Sequence, residues 1–339
     1  MARSHRSNAA AVVGLAALLA LAASPAAAQV GIGVHDPSII RADGGYYIFA
    51  TGNGISVLHS TDLIHWERTG RVFNELPAWA TVAVPKARGS LWAPDISFFG
   101  GTYRLYYSVS SFGSQRSAIG LATNETLDPA SPRYRWVDQG MVIQSRPDTS
   151  TYNAIDPNVV LDEDGQPWLD WGSFWGGIKM RRLDLRTGLL SNRDTTLYSL
   201  AARQGVDVTD GPNDAQSIEG PYIIRRGAFY YLFASYDMCC RGARSSYNVR
   251  VGRSAKVTGP YVDRTGVAMT EGGATRILEG AGRVRGPGHN SILTEGERQY
   301  IVHHFYDAED NGRSKLQIRP LTWSADGWPS VGEPISPRE

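Results

Sequence analysis

Cysteine is nearly absent from this 339-residue chain: there are two, Cys239 and Cys240, and they are neighbours. A single adjacent pair cannot staple distant segments, so a disulfide scaffold is excluded. Ordinary disulfides join Cα atoms ~4.4–6.8 Å apart, whereas trans neighbours sit ~3.8 Å apart. A bridge here would be a tight ring that stiffens one loop and adds little global stability, because it closes almost no chain. The residues leave the oxidised and reduced forms equally open. Long apolar runs are also missing, with one exception at the start. After Arg3 and Arg6, the stretch Ala9 to Ala23 is apolar, and Ser24-Pro25-Ala26-Ala27-Ala28 ends in an A-x-A pattern. That pattern predicts a signal peptide over residues 1–28, cut after Ala28, and hence a secreted protein. The run is short of the ~20 residues of a membrane helix, and no later stretch approaches that length.

Charge of one sign is lacking too. Removing 28 of 339 residues leaves 311, and the loss of Arg3 and Arg6 leaves 32 basic against 33 acidic residues, a net charge of −1. That balance gives no support to nucleic acid or an anionic membrane as partner. Finally, no 12-residue helical pattern, linker or low-complexity segment follows residue 30. What the chain has instead is aromatics, with nine Trp and sixteen Tyr. Such residues pack strands, and their flat faces also suit sugar rings.

It also has a repeat. His35-Asp36-Pro37-Ser38-Ile39-Ile40, Ile155-Asp156-Pro157-Asn158-Val159-Val160 and Ile218-Glu219-Gly220-Pro221-Tyr222-Ile223 share a form. Leu91-Trp92-Ala93-Pro94-Asp95-Ile96 and Gly288-His289-Asn290-Ser291-Ile292 are looser copies. Five such starts, roughly 60–70 residues apart, signal a propeller or solenoid. The residue before a proline is driven to extended geometry, and proline belongs on an edge or at a strand's first residue. Asp36, Asp156 and Glu219 are therefore expected at equivalent starts of inner strands around one axis. Second strands open on turn glycines, as in Gly44-Gly45-Tyr46-Tyr47-Ile48-Phe49 and Gly227-Ala228-Phe229-Tyr230-Tyr231-Leu232. Third strands alternate with period two, as in Tyr247-Asn248-Val249-Arg250-Val251. Fourth strands are weaker and fall at Tyr134–Val137 and Gly259–Val262. The prediction is all-β: one five-bladed β-propeller over residues 29–339, with blade boundaries near 90, 150, 215 and 285. A β-sandwich would break the single register of the repeat.

Three carboxylates at related positions suggest acid–base work. Glycosidic hydrolysis needs a general acid for the leaving oxygen and a second carboxylate; an inverting pair stands ~6.5–9.5 Å apart to admit water. For any one Asp-Pro the plainer reading is a turn cap; three together favour chemistry.

The chain resembles glycoside hydrolase family 43, and within it the endo-1,5-α-L-arabinanases, over about residues 33–330. The resemblance rests on Leu91-Trp92-Ala93-Pro94-Asp95, Ser111-Phe112-Gly113-Ser114, Asn153-Ala154-Ile155-Asp156-Pro157-Asn158, Gly172-Ser173-Phe174-Trp175-Gly176-Gly177, Ser217-Ile218-Glu219-Gly220-Pro221-Tyr222 and Cys239-Cys240-Arg241-Gly242. It implies inverting endo-hydrolysis of α-1,5-linked arabinan. Asp36 would be the general base and Glu219 the general acid. Asp156 would orient Glu219 and raise its pKa. The family more often has alanine where Gly220 stands. Trp92, Phe112, Gly113, Asn153, Ser173, Phe174 and Trp175 would join Asp36 and Asp156 in holding the sugar chain. His289 would face one calcium ion on the axis, with water completing its shell, although calcium prefers oxygen. The protein would act as a monomer on arabinan and arabino-oligosaccharides. The alternatives are an exo-acting α-L-arabinofuranosidase or β-xylosidase of the same fold, and a non-catalytic sugar-binding propeller. No role attaches to His303 or His304, of which only one can face inward.

Overall fold

A computed structural model describes Met1, residues 31–203 and residues 214–336. The expected signal peptide lies outside the described residues. Five antiparallel sheets follow one another along the chain. Blade 1 runs Ser38–Ala42, Gly45–Ala50, Ser56–Ser60 and Glu67–Arg71. Blade 2 runs Ser90–Phe99, Thr102–Val109, Ser117–Asn124 and Val137–Ser145, with the two residues Gly52–Asn53 added at its inner edge. Blade 3 is Asn158–Leu161, Pro167–Trp171, Ile178–Arg182 and Tyr198–Ala201. Blade 4 is Ile218–Arg226, Phe229–Tyr236, Asn248–Ser254 and Thr275–Leu278. Blade 5 is Val284–Glu295, Arg298–Asp307, Arg313–Trp323 and Pro329–Val331. The fold is a five-bladed β-propeller. The one α-helix among the described residues is short, Ala78–Ala83, and no helix there is long and apolar enough to cross a membrane.

The core is divided among the blade interfaces. Each blade is apolar on both faces and buries them against its two neighbours, so apolar clusters form between sheets. Leu105, Tyr107 and Ala122 of blade 2 pack with Tyr47, Phe49 and Val57 of blade 1. The ring closes the same way: Leu293, Val302, Leu316 and Ile318 of blade 5 pack on Ile39, Ile48 and Leu58 of blade 1. The Leu316 N–H also donates to Ile32 O at 3.1 Å. All four strands of blade 5 come from the C-terminal end, so packing closes the ring, and among the described residues no N-terminal strand completes that blade.

Polar ties near the axis fix the blades' rotation. Asp95 Oδ1 accepts from Ser38 Oγ (3.2 Å) in blade 1 and Asn158 Nδ2 (3.2 Å) in blade 3, and its Oδ2 accepts from Val159 N–H (2.9 Å). Asn158 Oδ1 accepts from Ile223 N–H of blade 4 at 2.8 Å. Ser291 Oγ donates to Pro37 O at 2.8 Å, joining blade 5 to blade 1.

Two expectations need correction. The residues before the repeat's prolines are not extended: φ is +53° at Asp36, +40° at Ala93, +59° at Asp156 and +55° at Gly220, with +49° at His289 in the fifth copy. Proline disfavours the right-handed helical region, but the inner strands turn through the left-handed region, which surrounding structure must hold. That register also displaces Glu219, which stands one residue before its left-handed position, Gly220. The fourth strands lie later than expected. In blade 2 the strand is Val137–Ser145, and in blade 4 it is Thr275–Leu278, while Val262 makes only isolated bridges to Arg253 and Ala268.

Candidate active site

The left-handed starts deliver side chains to one end of the axis, where a cleft of about 560 Å³ opens. Asp36, Asp156, Glu219, Trp92, Phe112, Gly113, Asn153, Ser173, Phe174, Trp175 and His289 all line it. Residues 183 positions apart in sequence, Asp36 and Glu219, thus share one space.

Asp36 is set among donors and imidazoles. Thr51 Oγ1 donates to its Oδ2 at 2.5 Å and accepts from Ala93 N–H at 2.8 Å, so it braces blade 1 against blade 2. His35 Nδ1 lies 2.8 Å from Oδ2, an ion-pair distance reached without hydrogen-bond geometry. His289 Nδ1 lies 3.2 Å from Oδ1. His304 Nδ1 accepts the Asp36 N–H at 3.1 Å, and its ring stacks on His35 with centroids 4.0 Å apart. Burial opposes ionisation of Asp36, but the charges of His35, His289 and His304 outweigh it and hold the carboxyl well below its ordinary range. Burial, in turn, lowers His289 and His304, while Asp36 draws His35 upward against burial.

Glu219 is held differently. Its Oε2 accepts from Ser173 Oγ at 2.7 Å, and its Oε1 from Tyr247 Oη at 2.5 Å. Ser173 is therefore committed to Glu219 rather than offered to a ligand. Burial first, then Glu219 and Asp156, push the Tyr247 hydroxyl well up, so it stays a donor. Asp156 Oδ2 accepts the Gly220 N–H at 3.1 Å, one residue from Glu219. Burial, followed by the charges of Glu219 and Asp36, drives Asp156 well above the usual carboxylate range. A β-carbon at Gly220 would come 3.0 Å from His289 Nδ1, so glycine here keeps the inner rim narrow.

The other cleft residues divide by exposure. Phe112 is 82% exposed and offers its ring to a ligand, whereas Trp175 is 7% exposed and forms floor. Gly113 has φ +73°, with open space where a side chain would be. Asn153 Oδ1 is buried with no hydrogen-bond partner, an acceptor poised for a hydroxyl.

The sequence marks no role for His35, His304, Thr51 or Tyr247. Strand alternation says that one of His303 and His304 faces inward, and it is His304 that reaches Asp36; His303 Nδ1 pairs with the His304 carbonyl oxygen, 2.9 Å away. Nothing in the pattern marks Tyr247, whose partner lies 28 residues away.

His35, Asp36 and His304 bring ligand-type atoms within 4.8 Å of one another. The His304 lone pair is spent on the Asp36 N–H, which makes this a hydrogen-bonded set. Calcium at His289 finds one ring nitrogen and a carboxylate whose oxygens already face Thr51 and the histidines. Calcium takes 6–8 oxygens, so His289 could hold it only with water filling the rest of the shell, and no step below runs through a metal.

Comparison with known proteins places this geometry. The model of glycosyl hydrolases family 43 matches residues 30–329. The chain belongs to that family. It is 44% identical, over 94% of its length and 92% of the relative's, to an extracellular exo-α-(1→5)-L-arabinofuranosidase of Cellvibrio japonicus. It is 42% identical, over 88% of its length and 87% of the relative's, to an extracellular endo-α-(1→5)-L-arabinanase of Bacillus subtilis. The solved Cellvibrio cellulosa α-L-arabinanase complexed with arabinohexaose superposes with a TM-score of 0.85 at 44% identity, covering 88% of this chain and 95% of that one. As a family 43 member the chain shares its propeller with these enzymes.

Proposed function

We propose that this glycoside hydrolase cleaves α-1,5-arabinofuranosidic bonds within arabinan by inversion. The observation that carries the reading is the contrast between two carboxyls in one cleft. Asp36 stands among three imidazoles that hold it ionised, while Glu219 accepts from two hydroxyls and lies beside Asp156, which burial drives above the usual carboxylate range. Asp36 takes a proton from water as that water attacks the anomeric carbon. Glu219 gives its proton to the departing C5 oxygen, and Asp156 holds the acid's backbone through Gly220. The two carboxyls come from blades 1 and 4, which suits an inverting pair with water between them.

Support for arabinan comes from relatives named for it on both sides of the endo–exo division. Endo action is the reading we adopt, with exo action as the second, since the exo relative, at 44% identity over 94% of the chain, is slightly nearer in sequence than the endo relative at 42% over 88%. Export by residues 1–28 agrees with two relatives named extracellular. Function as a monomer agrees with a cleft built from one chain's blades.

Linear arabinan incubated with the protein should give a spread of short oligosaccharides early, and proton NMR should show the β-anomer of the new reducing end first. Release of a single small product from the outset would replace endo with exo action, and no release at any pH would falsify the enzyme reading.

A further inference from the structure

The loop after the second strand of blade 4 brings Cys239 and Cys240 to the cleft, where they are joined as a disulfide with Cα atoms 3.8 Å apart. Cys240 is exposed and has φ +63°, a left-handed conformation that a residue with a side chain keeps only where its surroundings enforce it. They do. The Cys240 N–H donates to Tyr306 Oη at 2.8 Å, and that hydroxyl also lies 2.8 Å from His35 Nε2. The Met238 N–H donates to Ser246 Oγ at 3.2 Å, which pins the loop's entry. Cys240 Sγ lies 3.9 Å from His35 Nε2, and the other ring nitrogen of His35 is 2.8 Å from Asp36. A fixed sulfur pair therefore stands beside the reacting end of the cleft, anchored on the tyrosine that also holds His35.

Sulfur is soft, polarisable and free of strong hydrogen-bonding demand. A rigid disulfide face of this kind suits the C–H face of a sugar ring, while the polar groups of the cleft take the hydroxyls. We infer that the Cys239–Cys240 ring is a wall of the sugar subsite beside Asp36, packing on the arabinofuranosyl ring there and setting how tightly substrate binds. The inference rests on the glycosidase reading above and adds a binding element to it. Opened to a dithiol, the wall becomes two independently rotating side chains that must be ordered at each binding event, a cost that falls on affinity.

The chain's composition makes the test clean, since these are its only two cysteines and a reductant has no other target. A water-soluble phosphine with water converts the S–S bond to two thiols and becomes the phosphine oxide; intact mass follows the gain of two hydrogens. On linear arabino-oligosaccharides, reduction should raise KM about five- to twentyfold with kcat changed less than about twofold, and reoxidation should restore KM. The double variant Cys239→Ala/Cys240→Ala should show the raised KM and ignore the phosphine. Melting is followed alongside, and Tm should move little because the bridge closes almost no chain. If the reduced form melts early, the alanine variant decides; if that variant fails to fold, the phosphine arm decides. A KM blind to reduction overturns the inference. So does a fall in kcat at unchanged KM, which would assign the loop to positioning His35, and so do two free thiols in the protein as purified. Absence of hydrolysis by untreated protein is a failure of the proposed function; hydrolysis with a KM indifferent to the bridge is a failure of this inference alone.

Discussion

Asp36 lies just before, and Asp95 within, the inner strands of neighbouring blades; they are 7% and 3% exposed and are pushed in opposite directions. Burial opposes ionisation in both. Asp36 faces three imidazoles, which hold it well below its ordinary range. Asp95 faces only uncharged donors, the Val159 N–H, Asn158 Nδ2 and Ser38 Oγ, and burial lifts it to about 6. Register explains the division of labour. Asp36 occupies the left-handed position and turns into the cleft, whereas Asp95 lies two residues past the left-handed Ala93, level with Ser38 in blade 1. One backbone start thus serves two ends: a carboxylate held ionised at the cleft mouth, and a carboxyl raised by burial that ties three blades just beneath. What separates the two aspartates here is the company of imidazoles, of which Asp36 draws His35 toward its charged form, since depth is shared.

Exchange at the two positions should separate those roles, and the largest effect belongs to the mouth. Asp36→Asn keeps the side chain's volume and should cut kcat on linear arabinan by ~10²–10⁴, with Tm little changed. Asp95→Ala should leave substantial activity in the folded fraction but lower the unfolding free energy by about 2–4 kcal/mol, since it strands donors from blades 1 and 3. Urea melts and initial rates on both proteins check the pair; equal loss of activity in both would dissolve the distinction.

Stability against pH gives a smaller and independent reading of the beneath-mouth site. The folded pKa of Asp95, about 6, lies above the ordinary 3.8. A raised carboxyl contributes stability that is fully present below the ordinary value and lost as pH rises through about 6. The span corresponds to ~3 kcal/mol at most. Asp156 and Asp170, both buried and pushed upward, act in the same direction. The raised carboxyls should therefore lower the urea midpoint between about pH 4 and pH 7, against the lowered histidines His289, His303 and His304, and Asp95→Asn should remove its part of that fall. A midpoint that rises over this window would show that the buried histidines His289, His303 and His304, whose pKa values burial lowers, outweigh the raised carboxyls.

Much of this was legible in the chain and some was not, for physical reasons. The five starts could be read because proline and carboxylate recur at one spacing, and the strands because turn glycines precede aromatic runs. The conformation of those starts could not: proline's usual bias is toward extended backbone, and only the closed ring imposes φ of +53° on Asp36 and +59° on Asp156. Fourth strands were misplaced because the outermost strand pairs on one side only, so its pattern is weak and Thr275–Leu278 carries little signature. Carboxylates announced themselves by type, but their partners did not. Tyr247 and His304 sit in ordinary strand sequence, and only the fold brings them to Glu219 and Asp36. Ser173 shows the converse: it lines the cleft, but its hydroxyl is given to Glu219 and not to a ligand.

The smallest expected effect sharpens the contrast at the cleft's outer rim. Phe112 is 82% exposed and touches neither Asp36 nor Glu219 through any hydrogen bond, so its ring can only add contact area for a sugar. Phe112→Ala should raise KM for arabino-oligosaccharides about two- to tenfold, the range of one aromatic contact. With kcat held and Tm within about a degree, the loss would be one of uniform binding, made equally in ground and transition states. Steady-state rates on a short and a long oligosaccharide check it. The rim residue should matter more for the longer chain, because only a chain that runs along the cleft past Asp36 toward blade 2 reaches that ring. A fall in kcat at constant KM on both would mean that the boundary between the charged mouth and the apolar rim has been drawn in the wrong place.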